Sequence, residues 1–124
     1  MSDQAATISG LESFLRLTSL REKAISTNMA NVDTPGYHTQ DIDFQAEFNR
    51  AISTPQGDGE NGGMMQLEPA AREVPGLMER ADGNNVDLDR EAMAMSQVQL
   101  QYQLGIQLIR SQFHTLLSAI KDGN

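Results

Sequence analysis

The sequence predicts a mainly α-helical chain. Two long terminal helices pack as a coiled-coil-like pair, and the irregular middle between them has room for a short helix and a small β-hairpin. Three observations predict this. All four prolines fall between positions 35 and 75. Leu11 to Thr34 holds neither Gly nor Pro, and from Asn84 to Asp122 the only breaker is Gly105. Both ends repeat apolar residues at alternating steps of four and three, the period of a helical seam. These signals divide the chain into 1–34, 35–86 and 87–124.

In the first segment the ladder is Ile8, Leu11, Leu15, Thr18, Glu22, Ile25, Met29 and Val32. Thr18 and Glu22 interrupt an otherwise apolar line. Arg16, Arg21, Glu22 and Lys23 make this helix the more polar one and locally basic. That suits it to the acidic remainder of the chain or of a neighbour. Two helices alone make a thin core, so partner helices would support both.

In the middle, Asp43 is placed to cap a short helix carrying Phe44, Phe48, Ala51 and Ile52. Pro55 to Gly63 has four glycines and no apolar residue, the composition of a flexible loop. Pro69 and Pro75-Gly76 disfavour helix. The Asp82-Gly83 pair favours a turn, which places the hairpin between Leu77 and Leu88.

The last segment gives the stronger ladder: Leu88, Ala92, Met95, Gln99, Tyr102, Ile106, Ile109, Phe113, Leu116 and Ile120. Asp87 is the candidate N-cap, and Asp89 and Glu91 set negative charge near the positive helix end. A helix from Asp87 to Lys121 spans on the order of 50 Å. From Ala92 to Ile120 the only formally charged side chain is Arg110, and Gln fills positions 97, 99, 101, 103, 107 and 112. Helix faces of Gln and aliphatic residues suit surroundings of other protein helices. A self-contained two-helix core is the plainer alternative. Gly105 inside this helix costs roughly 0.5–1 kcal/mol relative to Ala. It points to a close backbone approach by a neighbouring helix.

Composition narrows the function. At 124 residues and 13.6 kDa the chain is one domain's worth. Seventeen acids against nine bases give −8. That argues against a general nucleic-acid binder and against an anionic membrane surface. Without Cys there is no disulfide framework, thiolate zinc site or Cys nucleophile. The N-terminus lacks the basic start and apolar run of a secretory signal, and no stretch approaches a membrane span. A protein of this kind that leaves the cytoplasm needs a specialised export route.

No catalytic, cofactor or metal residues are assigned. Gly57, Gly59 and Gly62 match G-x-G-x-x-G without the flanking strand and helix that a dinucleotide site needs. His38, Asp41 and Asp43 fit no ligand spacing. Asp82 to Glu91 fails the calcium-loop pattern, because Val86 and Asp87 stand where a ligand and the Gly belong. His38 and His114 have no matched nucleophile, and no G-x-S-x-G elbow exists. Met29 and Met95 read as core filler.

The most informative run is Asn28 to Tyr37. Pro35 fixes φ near −65° and Gly36 takes the positive φ of a type II turn. Thr34, preceding Pro, is biased out of helix, so the first helix stops by about Val32. Asn28 and Asn31 lie in its last turn, where side-chain amides meet unpaired carbonyls. Tyr37 is placed to fold back on the helix end.

A long amphipathic helix ending in Ala30-Asn31-Val32-Asp33-Thr34-Pro35-Gly36-Tyr37 resembles the axial proteins of the bacterial flagellum, its rod and hook subunits. His38 to Phe44, and Arg80 to Glu91 leading into a final helix, are similar to the FlgB-like rod subunits. A basic residue commonly follows the Tyr in that family, and His38 stands there instead. Residues 53–79 match nothing in it.

The resemblance implies a structural, non-enzymatic subunit of the proximal rod of the basal body, located in the periplasm. It implies export from the cytoplasm by the flagellar type III apparatus without a cleaved signal peptide. The implied partners are further copies of itself, the export gate, a FliE-like adaptor, and FlgC-like and other rod subunits. On this reading Leu11, Leu15, Ile25, Met29, Tyr102, Ile106, Ile109, Phe113, Leu116 and Ile120 carry axial packing. Asn28, Asn31, Thr34, Pro35, Gly36 and Tyr37 set the helix-exit geometry. The alternatives are a FlgC-like rod subunit, or a helical-hairpin export chaperone or secreted effector.

Overall fold

A computed structural model describes residues 2–53 and 69–123. The Gly-rich run at 55–63, with its G-x-G-x-x-G match, lies outside the described residues. The elements are α1 (Ser2–Ala30), β1 (Gln40–Asp41), α2 (Phe44–Ser53), β2 (Arg72–Glu73) and α3 (Leu88–Asp122). The two long helices pack together as an antiparallel pair. Asn28 of α1 bonds Glu91 of α3, while Phe14 and Leu15 lie against Gly105.

α3 starts where its cap predicts. Asp87 is extended at φ −108°, and its carboxylate accepts from the backbone N–H groups of Asp89 at 3.0 Å and Arg90 at 3.4 Å. α1 ends at Ala30. There the ladder tightens, with Val32 N donating to Met29 O at 3.3 Å, because the Thr34-Pro35 pair cannot continue it.

α2 lies against α1 through an aromatic trio. Phe14 meets Phe44 edge-on at 5.3 Å and Phe48 at 6.1 Å, and the two α2 rings stack at 6.0 Å. Asp43 caps α2 by accepting from Ala46 N at 3.2 Å. Ala51 and Ile52 of the expected apolar face are exposed.

The small strand pair sits elsewhere than the sequence suggested. β1 and β2 run antiparallel, with Gln40 opposite Glu73 and Asp41 opposite Arg72. Asp82-Gly83 does turn the chain, closed by Arg80 N to Asn84 O at 2.8 Å. Pairing stops at that rung because the next polar groups are used otherwise. Val86 N donates to the Asn84 side chain, and the Arg80 guanidinium reaches Val32 O and Val86 O.

The core is small and mixed. Leu17, Ile25, Ile42, Val86 and Val98 are its buried apolar side chains, beside buried Thr18, Asn28, Thr39, Asn84, Asn85 and Glu91. Every buried residue among those described lies between Leu17 and Gly105. Beyond Leu17 toward the start of α1, and beyond Gly105 toward the end of α3, no described side chain is fully buried.

The more buried side of α3 runs through Glu91, Met95, Val98, Gly105, Ile109 and Leu116. It is turned partway from the ladder read off the sequence, keeping Met95, Ile109 and Leu116 but burying Glu91, Val98 and Gly105 ahead of Ala92, Gln99 and Ile106. Two anchors set that rotation: Glu91 is tied to Asn28, and only Gly105, without a Cβ, lets α1 come so close. An ideal Cβ on Gly105 would lie 2.7 Å from Leu15 Cδ2. Thr18, expected to interrupt the seam, is fully buried, its hydroxyl donating to Phe14 O at 2.7 Å.

Candidate functional site

The chain's polar chemistry converges where α1 ends and α3 begins. Asn28, in the last turn of α1, uses its whole side chain. Its Nδ2 donates to Gln40 O at 2.7 Å and to Glu91 Oε2 at 3.0 Å. Its Oδ1 accepts from Tyr37 Oη at 2.9 Å and from Gln40 N at 2.9 Å. An amide has two donors and two acceptor lone pairs, so Asn28 is saturated while buried.

Thr34 to Tyr37 forms the turn that makes this possible. Pro35 holds its second position and Gly36 the third at φ +76°, and Tyr37 N donates to Thr34 O at 3.2 Å. The turn reverses the chain so that the Tyr37 ring folds back over α1. Burial pushes the Tyr37 phenol above its ordinary 10.0, and the Glu91 carboxylate nearby adds to the rise. Asn31 Nδ2 donates to Thr27 O at 2.8 Å, and Thr34 Oγ1 donates to Asn31 Oδ1 at 3.0 Å.

The second turn docks onto the first. Gly36 N donates to Asp82 O at 2.9 Å, and Gly83, at φ +83°, has its Cβ direction 3.4 Å from the Gly36 Cα. Asn84 Nδ2 donates at 2.8 Å to both Asn31 O and Thr34 O. Asn85 Oδ1 accepts from Thr39 N at 2.6 Å. These amides satisfy backbone groups that a buried helix exit would otherwise leave unpaired.

A charged layer backs the junction. Glu91 Oε1 accepts from Arg90 Nη1 at 2.9 Å, and Asp41 Oδ1 accepts from Arg21 Nε at 3.2 Å. Arg90 Nη2 lies 3.9 Å from Asp41 Oδ2. His38 sits between Glu73 at 3.4 Å and Glu79 at 3.0 Å. Among the described residues no three His, Asp or Glu side chains gather closely enough to hold a metal ion. The arrangement donates and accepts hydrogen bonds within itself and fixes geometry.

Of the residues singled out in the sequence, Asn28, Asn31, Thr34, Pro35, Gly36 and Tyr37 come together here. The packing set is spread along the pair. Ile25 is buried, while Leu11, Leu15, Met29, Ile106, Ile109 and Leu116 are half-buried. Tyr102, Phe113 and Ile120 are exposed, the last by 62%. Thr39, Arg80, Asn84, Asn85 and Glu91 also belong to the junction, a part the sequence reading did not give them. Their signal was present in the Asn84-Asn85 pair directly after a Gly turn, a costly choice unless the amides cap something.

No family model matches the chain. Curated relatives do. The flagellar basal body rod protein FlgB of Salmonella typhimurium is 31% identical over 125 residues, covering 89% of each chain. That of Yersinia ruckeri is 32% identical over 124 residues, covering 88% of this chain and 89% of its own. That of Bacillus subtilis is 26% identical over 128 residues and covers 99% of both. With identity above 30% across nearly nine-tenths of both partners, the chain belongs to the FlgB family of flagellar basal body rod proteins.

Proposed function

We propose that this protein is a structural subunit of the rod of the bacterial flagellar basal body, without catalytic activity. The observation that carries this reading is the near full-length similarity to FlgB rod proteins from several bacteria. Its neighbours are other rod subunits, and α1 and α3 are the elements through which they meet. The charge distribution supports that division. Residues 31–87 hold eleven acids and three bases, whereas 1–30 and 88–124 each hold three of either sign. Neutral helices pack against one another at little electrostatic cost, and the whole net charge of −8 belongs to the middle segment.

In finer detail, the subunit belongs to the proximal rod in the periplasm, beside a FliE-like adaptor and a FlgC-like subunit. It leaves the cytoplasm through the flagellar type III apparatus without a cleaved signal peptide. Segments 1–34 and 87–124 act as the axial helices and 35–86 as their connector. Exposed Tyr102, Phe113 and Ile120 supply contact surface to neighbours, while Leu11, Leu15, Ile25, Met29, Ile106, Ile109 and Leu116 hold the pair together. Asn28, Asn31, Thr34, Pro35, Gly36 and Tyr37 set the angle between helix and connector.

The test is the protein's presence and axial position in isolated basal bodies, read by labelling an internal tag and by co-purification with the adaptor. Density at the cell-proximal end of the rod is the expected result. A protein found only in the cytoplasm, and dimeric without its client, would replace the rod reading with the chaperone one.

A further inference from the structure

His38 leaves the exit turn with both ring nitrogens aimed at carboxylates. Nδ1 lies 3.4 Å from Glu73 Oε2, and Nε2 lies 3.0 Å from Glu79 Oε1. The two glutamates stand on the two legs of one loop. Glu73 ends β2, and Glu79 follows the Pro75-Gly76 turn, where Gly76 takes φ +81°. The ring ties both legs to the segment leading into β1.

That loop has few other fasteners. β1 and β2 pair over two residues each, and Val74 N donates to Thr39 O at 3.0 Å. So short a strand pair is marginal by itself. On the far leg the Arg80 guanidinium is anchored to Val32 O and Val86 O, one residue beyond Glu79.

Protonation decides how many legs the ring holds. Neutral imidazole has one N–H and one lone pair, so it bonds one carboxylate and turns the lone pair on the other. Imidazolium has two N–H groups and a positive charge, and it bonds both. From β2 the group facing the ring is Glu73, and from the second leg it is Glu79. On its own strand the neutral Gln40 side chain donates to His38 O at 3.4 Å. Among the described residues neither glutamate pairs with a Lys or Arg.

We propose that His38 is a proton-operated clasp on the 73–79 loop. With the ring protonated, both legs are held. When the ring loses its proton, one carboxylate faces a lone pair and the two glutamates repel each other across it, so the loop loosens. The clasped state favours the charged ring. Its contribution is therefore full in mild acid and is lost as pH rises through the range where histidine titrates, about 5 to 8. Carboxylates are ordinarily ionised over that range. The clasp acts within the chain and does not depend on the rod reading.

The chain has two histidines, so His114 serves as the control. The full chain with labelled methyl groups is compared by NMR relaxation at about pH 5.5 and about pH 8. The Val74 and Leu77 methyl groups should be several-fold more mobile at the higher pH, while Ile25 and Val98 in the core stay rigid at both. His114→Gln should keep this response. His38→Gln should abolish it and leave the loop mobile at both pH values. Glu79→Gln supplies an N–H to the lone pair of the neutral ring and should keep the loop ordered at the higher pH. Circular dichroism checks that each variant is folded. A parent loop equally ordered at both pH values would overturn the proposal. So would a response that survives His38→Gln, disappears in His114→Gln, or is as large in Glu79→Gln as in the parent.

Discussion

Asn28 and Glu91 stand 63 residues apart in the chain and meet at 3.0 Å, both almost fully buried. This contact joins the end of α1 to the start of α3. Its energetics are asymmetric: made, a hydrogen bond to a charged group stabilises by about 1.5–3 kcal/mol, whereas losing one partner strands the other in the interior.

Asn28→Ala leaves the Glu91 carboxylate, Gln40 N and the Tyr37 hydroxyl short of partners. It should cost about 3 kcal/mol or more, measured as the shift in urea midpoint. Asn28→Asp should be no milder, because it sets a second carboxylate beside Glu91. A loss below about 1 kcal/mol for both would mean that the junction relaxes and that water replaces the amide.

The two turn glycines should differ. At Gly36 a Cβ meets nothing within 4 Å, so Gly36→Ala costs only the left-handed backbone, about 1 kcal/mol, and β-branched Val costs more. At Gly83 the same backbone cost comes with a 3.4 Å approach to the Gly36 Cα, so Gly83→Ala should be the more damaging. Cells carrying Gly36→Val should swim poorly. Normal motility in that strain would show that the turn tolerates a negative φ.

Gly105→Ala sets two effects against each other. Helix propensity gains about 1 kcal/mol, and overpacking against Leu15 and Phe14 costs about 1–3 kcal/mol. The net should be a loss of about 1 kcal/mol in thermal unfolding, and Gly105→Leu should part the helices. An Ala variant more stable than the parent would show that Leu15 moves aside freely.

Tyr37 gives the chain an alkaline limit. Its folded pKa lies above 10.0, raised by burial and then by Glu91. Above the unfolded value the unfolded chain releases this proton first, so stability falls as pH climbs from about 10 through the folded pKa. In a Tyr102→Phe background, absorbance titration should place the remaining phenol above 10.0, and Tyr37→Phe should flatten the stability loss. An unshifted titration would show the ring detached from the helix.

Amide exchange should follow burial. In the dilute monomer, protection should be strongest around Ile25–Asn28 and Asn84–Val98 and fall away along both helices toward the unburied halves. Assembly should extend it over Ala92 to Ile120. Uniform strong protection of that stretch in a proven monomer would make the helical pair self-sufficient.

Much of this architecture was legible in sequence. Breaker positions and apolar period located α1 and α3, and Asp87 and Asp43 marked the caps. Pro35-Gly36 marked the exit turn. The rotation of α3 was hidden, because period alone cannot rank Val98 above Gln99 when both Glu91 and Gly105 override hydrophobicity. A buried carboxylate is the last residue a pattern search assigns to a core. The strand pair was missed for a similar reason: Gln40-Asp41 and Arg72-Glu73 carry no alternation, and tertiary placement alone pairs them. The junction's Asn84 and Asn85 read as turn formers, and their reach to Asn31, Thr34 and Thr39 follows only from the fold.

The antiparallel pair also gives the molecule a front and a back. One end is knotted by amides and carboxylates that already bond one another. The other presents bare flanks of two helices, with Leu117 and Ile120 uncovered. Contacts between unlike faces repeat in one direction and need not close. A shaft raised from such pieces inherits an arrow, so its base differs from its tip before any other component is added.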